Sequence, residues 1–136
     1  MYINYNYWKE LQQYLPEKNR ITDSIYPVEK FIKIKEMEIH LDEYNNESNT
    51  TVIIFHGVGG NGRLLSFLAV PLFKAGYNVL CPDLPGYGFT KYNKALSYLD
   101  WIDVGSKIVE DELKKSKNVF VIGLSAGGML AYNVVC

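Results

Sequence analysis

The chain has 136 residues, long enough for one hydrophobic core, and 48% of its residues are hydrophobic. Its 14% aromatic content excludes a disordered chain, and a net charge of -1 with interspersed acids and bases excludes a basic surface for nucleic acid or for anionic membranes. We therefore expect one globular domain with no nucleic-acid partner.

The chain carries no signal of export or of membrane anchoring. The N-terminus lacks the pattern of a signal peptide, and no apolar run approaches the length of a membrane span. These features predict a cytoplasmic protein with no stable membrane insertion. Cys81 and Cys136 are then expected to be free thiols without a chemical role.

Residues 1–27 predict an appended helix followed by a connector. Four apolar residues recur at helical spacing before Pro16: Trp8, Leu11, Tyr14 and Leu15. The segment from Pro16 to Pro27 is polar and has no clear period. The main domain is therefore expected to span residues 28–136.

Two alternating segments open the main domain. Phe31–Lys35 and Glu38–Asp42 alternate apolar and polar residues, which predicts two half-buried strands paired as a hairpin near Glu36 and Met37. His40 falls on the polar face of the second strand, where we expect a solvated surface histidine.

Three apolar strands follow, and a loop rich in glycine or proline comes directly after each. The strands are predicted over Thr51–Phe55, Tyr77–Cys81 and Val119–Ile122. Their composition is typical of strands buried on both faces of a parallel sheet. Helical segments alternate with them: one contains Pro71 and ends before Gly76, and another opens at Ser97 with a capping box. This order predicts an α/β fold, a mainly parallel sheet with helices on both faces and an antiparallel hairpin at one edge.

The turn after the third of these strands contains a possible nucleophile. Gly123-Leu124-Ser125-Ala126-Gly127 fits G-x-S-x-G, in which a serine sits on a sharp strand-to-helix turn between small residues. The turn would expose the Ser125 hydroxyl and direct the Ala126 N–H at an acyl oxyanion. The alternative is an ordinary glycine-rich connection with an N-cap serine.

A second enzyme class competes for the loop after Phe55. Gly57–Gly62 also fits G-x-G-x-x-G between a strand and a helix, and Asp83 lies about twenty residues further on, as in a dinucleotide-binding domain. That interpretation predicts NAD binding, but it leaves His56 and the Ser125 turn without a role. A third alternative is a non-enzymatic interaction fragment.

Three motifs together resemble the α/β-hydrolase family, most closely its lysophospholipase-like or esterase-like bacterial members, over roughly residues 28–136. The motifs are His56–Arg63, Asp83–Gly88 and Gly123–Met129. The resemblance implies an α/β-hydrolase-type fold and a serine hydrolase that needs no cofactor or metal. Its substrate would be a small-molecule ester or an acyl lipid.

The same resemblance assigns roles to individual residues. Ser125 would be the nucleophile, and the N–H groups of Val58 and Ala126 would form the oxyanion hole. The other implied roles are support of the oxyanion loop by His56, Gly57, Gly59 and Gly60, and close packing at the nucleophile elbow by Gly123 and Gly127.

The chain departs from the family pattern after the nucleophile. The family's acid and histidine follow the nucleophilic serine, yet eleven residues follow Ser125, and the two histidines, His40 and His56, precede it. We therefore expect the N-terminal part of a longer enzyme, truncated after the elbow and inactive alone. The strand Val119–Ile122 would then be an apolar sheet edge, open to self-association.

Overall fold

The computed structural model describes residues 5–136, which alternate strands and helices around one mixed sheet. The elements are α1 (Tyr5–Leu11), β1 (Val28–Ile34), β2 (Met37–Tyr44), β3 (Thr50–Phe55), α2 (Ser66–Lys74), β4 (Asn78–Pro82), α3 (Tyr98–Leu113), β5 (Asn118–Gly123) and α4 (Ala126–Val135). Each predicted strand is present, with boundaries that differ by at most three residues.

The sheet has the strand order β1-β2-β4-β3-β5. β1 and β2 form the predicted antiparallel hairpin, and β2 continues antiparallel to β4. β4, β3 and β5 are parallel to one another. The carboxyl ends of these three strands therefore lie at one end of the sheet, and the loops that follow them meet there.

Helices cover both faces of the sheet, as predicted. Ile53 and Phe55 of β3 belong to the core beneath α3 and α4, whereas Val52 and Ile54 belong to the core beneath α2. This alternation follows from the two-residue period of a strand. The fold is thus an α/β arrangement with an apolar layer on each side of a central strand.

The N-terminal segment packs against the α2 side of the domain. The helix predicted over Tyr5–Leu15 is shorter, since α1 ends at Leu11 and a 3₁₀ turn follows over Gln12–Tyr14. The Trp8 indole N–H donates to the Ser66 hydroxyl over 3.1 Å, and this tryptophan is buried. Segment and domain therefore share a buried contact.

β2 contradicts the prediction of a half-solvated strand. His40 and Asp42 are both fully buried, as are their apolar neighbours Ile39 and Leu41. The reason is that Arg63 and the loop after β4 cover the face on which these polar side chains lie. His40 is therefore not the surface histidine that the alternation indicates.

β5 contradicts the prediction of a strand buried on both faces, and it confirms the expected sheet edge. Within residues 5–136, β5 pairs with β3 alone, and Phe120 on its α2-side face is 58% exposed. Val119 and Val121 on the other face pack against the core beneath α3 and α4. The strand has the composition of an internal strand in the position of an edge strand.

No helix among residues 5–136 combines the length and the apolar character that crossing a bilayer requires.

Candidate active site

Ser125 lies on the sharp turn between β5 and α4. Its backbone angles are φ 55° and ψ -124°, a backbone conformation that residues other than glycine rarely adopt. The residue is exposed at the end of the sheet where the parallel strands finish. A strained, exposed serine between strand and helix is the geometry that the G-x-S-x-G spacing predicts.

The two glycines of this turn are required by close backbone packing. A Cβ atom at Gly123 would collide with the backbone of Gly127 and Gly128, and one at Gly127 would collide with the carbonyl oxygen of Phe55. Any larger residue would push α4 away from β5 or β3. These contacts give the spacing of the motif a physical cause.

The loop that follows β3 reaches the same turn. A Cβ atom on Gly57 would lie 2.9 Å from the Leu124 carbonyl oxygen and 3.5 Å from the Ser125 hydroxyl oxygen. Val58, the next residue, is 74% exposed. No hydrogen bond within residues 5–136 uses the N–H of Val58 or of Ala126. The structure thus brings both predicted oxyanion donors to the loops beside Ser125.

His56 is buried beneath this loop, and both of its ring nitrogens are bonded. Nε2 accepts the Leu84 N–H over 2.9 Å, so Nδ1 carries the proton and donates to the Gly57 carbonyl over 2.7 Å. Burial, the largest influence, lowers the pKa of His56. A neutral and fully bonded imidazole holds the loop in place and has no nitrogen left to act as a base on Ser125.

Asp83 is not placed to bind a ribose, so it gives no support to the predicted dinucleotide site. Its side chain is fully buried and accepts hydrogen bonds from the N–H groups of Gly62 and Phe89, over 2.6 and 2.8 Å. His40 Nδ1 lies 2.8 Å from the same carboxylate. Both carboxylate oxygens are therefore committed to the protein itself.

A buried ionic cluster beside Asp83 is the feature that the sequence did not predict. Arg63, 2% exposed, donates from Nε and Nη2 to the two oxygens of Asp42 and from Nη2 to Glu29 over 2.9 Å. Its guanidinium also lies 5.2 Å from the centre of the Trp8 ring, within the range of a cation–π contact. Two residues in the sequence could have indicated this cluster. They are Asp42, on the polar face of a predicted strand, and Arg63, directly after the glycine-rich loop.

Metal binding has little support in this cluster. Glu29, His40 and Asp42 offer ligand atoms that lie within 4.8 Å of one another. The Arg63 guanidinium already pairs with both of these carboxylates. Because a fixed cation occupies the place where a metal ion would be attracted, we assign no metal to these residues.

A groove lies between the β1–β2 hairpin turn and the loop that follows β4, apart from the turn of Ser125. Its volume is about 850 Å³, and its apolar lining comes from Phe31, Met37, Phe89 and Tyr92. Neither Ser125 nor Val58 contributes to its wall. We therefore place the candidate site at the turn of Ser125 and not in this groove.

Residues 50–136 match the family described as alpha/beta hydrolase fold. Since this match covers more than half of the chain, the protein belongs to the α/β-hydrolase family.

Individual relatives agree with this assignment. The chain is 28% identical over 95 residues to a pimeloyl-[acyl-carrier protein] methyl ester esterase of Legionella pneumophila (strain Corby), a match that covers 70% of this chain and 35% of the relative. A solved thioesterase domain from the curacin biosynthetic pathway is 25% identical, with a TM-score of 0.65 over 76% of this chain and 39% of that one. An esterase of Pyrococcus furiosus shares the fold, with a TM-score of 0.70 and 24% identity over 82% of this chain and 45% of its own. The chain therefore spans less than half the length of these relatives.

Proposed function

We propose that the chain is the nucleophile-bearing part of a serine hydrolase that transfers an acyl group from an ester to water. The observation that carries this proposal is the strained backbone of Ser125 directly beside Gly57. In the proposed reaction the Ser125 hydroxyl oxygen attacks the acyl carbonyl carbon, and the alcohol leaves. Water then cleaves the acyl-serine and regenerates the hydroxyl.

The N–H groups of Val58 and Ala126 are proposed to stabilise the oxyanion in both steps. Two backbone donors at the carbonyl oxygen are the usual composition of such a site in this fold. The exposure of Val58, and the absence of a hydrogen-bond partner for either N–H within the described residues, support the assignment.

The general base is proposed to come from polypeptide outside these 136 residues. Both nitrogens of His56 are bonded, and His40 lies buried beneath Phe31 and Phe89 at the side of the sheet remote from β5. Without a base, a serine hydroxyl is a weak nucleophile. The chain alone should therefore turn over esters near the background rate.

The proposed substrate class is an acyl ester, and an acyl lipid is one member of that class. One relative is named for cleaving a methyl ester and another as a thioesterase, and both reactions occur at an acyl carbonyl. The proposal names the bond that is cleaved and not the acyl group.

Labelling with a fluorophosphonate probe tests the proposal, because such probes report an activated serine. In a version extended beyond Cys136 to the length of its relatives, the probe should label the protein, and Ser125→Ala should abolish labelling. Ser24→Ala, at an exposed serine far from the sheet end, is the matched control. Labelling that survives Ser125→Ala would contradict the proposal.

A further inference from the structure

The loop between β3 and α2 is held at both ends by two consecutive residues that follow β4. At its start, His56 Nε2 accepts the Leu84 N–H over 2.9 Å. At its end, the Gly62 N–H donates to Asp83 Oδ1 over 2.6 Å. Val58 lies between these two anchors and is exposed, so the anchors limit the positions that its backbone N–H can take.

Asp83 is itself held from several directions. Its Oδ2 accepts the Phe89 N–H and lies 2.8 Å from His40 Nδ1, while its own N–H donates to the His40 carbonyl over 2.8 Å. A Cβ atom at Gly88 would collide with the carboxylate, so the backbone closes directly over it. The carboxylate therefore has little room to move, and its hydrogen bond to the Gly62 N–H holds Gly62 in place.

The His40 imidazole lies against the Asp83 carboxylate, with Nδ1 2.8 Å from Oδ2. The charged groups that face its ring are Asp83 at Nδ1, with Glu29 and Asp42 at 3.4 and 3.9 Å from Nε2; Arg63 pairs with both of the latter. The rings of Phe31 and Phe89 pack 5.0 and 5.1 Å from the imidazole and limit access of water. Burial lowers the pKa of His40, but the hydrogen bond to Asp83 and the three carboxylates outweigh burial and raise it overall.

We propose that Asp83 is a positioning residue for the oxyanion loop and that His40 orients its carboxylate. The inference rests on the proposed hydrolase function, because the loop matters to chemistry only if Val58 donates to an oxyanion. An apolar residue would fill the same space, but it could not accept the Gly62 N–H. The buried charge is thus accounted for by the loop that it holds.

Amide hydrogen exchange on the 136-residue chain, measured residue by residue by NMR, tests this inference without any catalysis. Asp83→Asn weakens a charge-assisted hydrogen bond, so the protection factor of Gly62 should fall about ten- to a hundred-fold. The protection factors of the β3 amides should fall only by the amount that the change in global stability explains. An equal loss at Gly62 and in β3 would overturn the inference, since it would show a purely structural role.

Two further variants keep the test decisive if Asp83→Asn folds poorly. His40→Asn places an amide N–H near the position of Nδ1, so it should keep the protection of Gly62 within about threefold, whereas His40→Ala should lose about tenfold. Identical behaviour of the two His40 variants would contradict the orienting role. The matched control is Thr51→Val, which removes a buried 2.6 Å bond to Ser116 at the opposite end of β3 and should lower protection in β3 and at Gly62 alike.

The exchange result and the labelling result can fail separately. If Ser125 is never labelled in the extended protein, the proposed function fails, and a selective loss at Gly62 would then show only that Asp83 holds that end of the loop. If labelling succeeds and Gly62 follows β3, the hydrolase stands and the positioning role of Asp83 falls.

Discussion

β2 and β5 depart from their sequence patterns in opposite directions. β2 alternates apolar and polar residues as a half-solvated strand does, yet it is buried on both faces around His40 and Asp42. β5 is continuously apolar as an internal strand is, yet it forms the edge of the sheet and exposes Phe120. Neither strand's surroundings follow from its own residues.

The neighbours of each strand explain the difference. β2 lies between β1 and β4, and Arg63 brings a positive charge onto its polar face, which makes burial of Asp42 possible. β5 has β3 on one side and, within residues 5–136, no strand on the other. A strand's pattern predicts which faces differ from each other, but the elements packed around it decide which faces are buried.

The largest effect is expected from breaking the ionic cluster over β2. Arg63→Met removes the cation that opposes the buried charge of Asp42, and losing one partner of a buried ion pair typically costs about 3–5 kcal/mol of unfolding free energy. Chemical denaturation followed by circular dichroism measures this change.

The matched control and a double variant sharpen this first test. Lys107→Met breaks an exposed pair with Asp111 on α3 and should leave stability nearly unchanged. Adding Asp42→Leu to Arg63→Met should recover most of the loss, because no uncompensated buried charge remains. A single variant as stable as the original protein would show that β2 does not depend on the cluster.

The next effect concerns association through β5, which stays a proposal. Exposed apolar edge strands pair with other chains, so the 136-residue chain should sediment above its monomer mass at micromolar concentration. Phe120→Lys together with Ile122→Lys should weaken this association about tenfold or more, because two like charges would face each other across a symmetric pair.

The opposite edge of the sheet provides the control for that experiment. β1 is also an edge strand, but it carries Glu29, Lys30 and Lys33 among its residues. Val28→Lys, at a position 57% exposed, should therefore leave the sedimentation of the chain unchanged. Equal effects at both edges would argue against a specific role of β5.

The positions that the sequence predicts well are those with a local cause. The spacing of Gly123 and Gly127 predicts the elbow, because the close approach of two backbones needs no distant partner. Gly76 likewise ends α2 as predicted, with φ 95° and its N–H donating to the Phe73 carbonyl. The His40–Asp83 contact joins residues 43 positions apart, so no local pattern could indicate it.

A smaller effect is expected from the titration of His40. Its pKa in the folded chain is raised above the ordinary value of 6.5, mainly by Asp83 acting against burial. A raised pKa means that the folded state binds the proton more tightly, so this contribution to stability is complete below about pH 6.5. It is then lost as the pH rises through the folded pKa.

The difference in unfolding free energy between the original protein and His40→Asn measures this contribution. The difference should favour the original protein most at acidic pH and decline above the ordinary histidine pKa. A difference that does not vary with pH would show that His40 keeps its charge state on folding. The contribution of His40 to stability would then not depend on a shift of its pKa.

The smallest expected effect concerns the reactivity of the two cysteines with a thiol reagent. Cys81 lies on β4, next to β2, and is fully buried, whereas Cys136 follows α4 and is exposed. Burial, with the charges of Asp42 and Asp83, raises the pKa of the Cys81 thiol, and the thiolate is the reactive form.

A thiol reagent should thus modify one cysteine in the folded chain and two after denaturation, and Cys136→Ser should remove the fast reaction. Rapid modification of Cys81 in the folded chain would contradict this prediction and show that the centre of the sheet opens on the timescale of the assay.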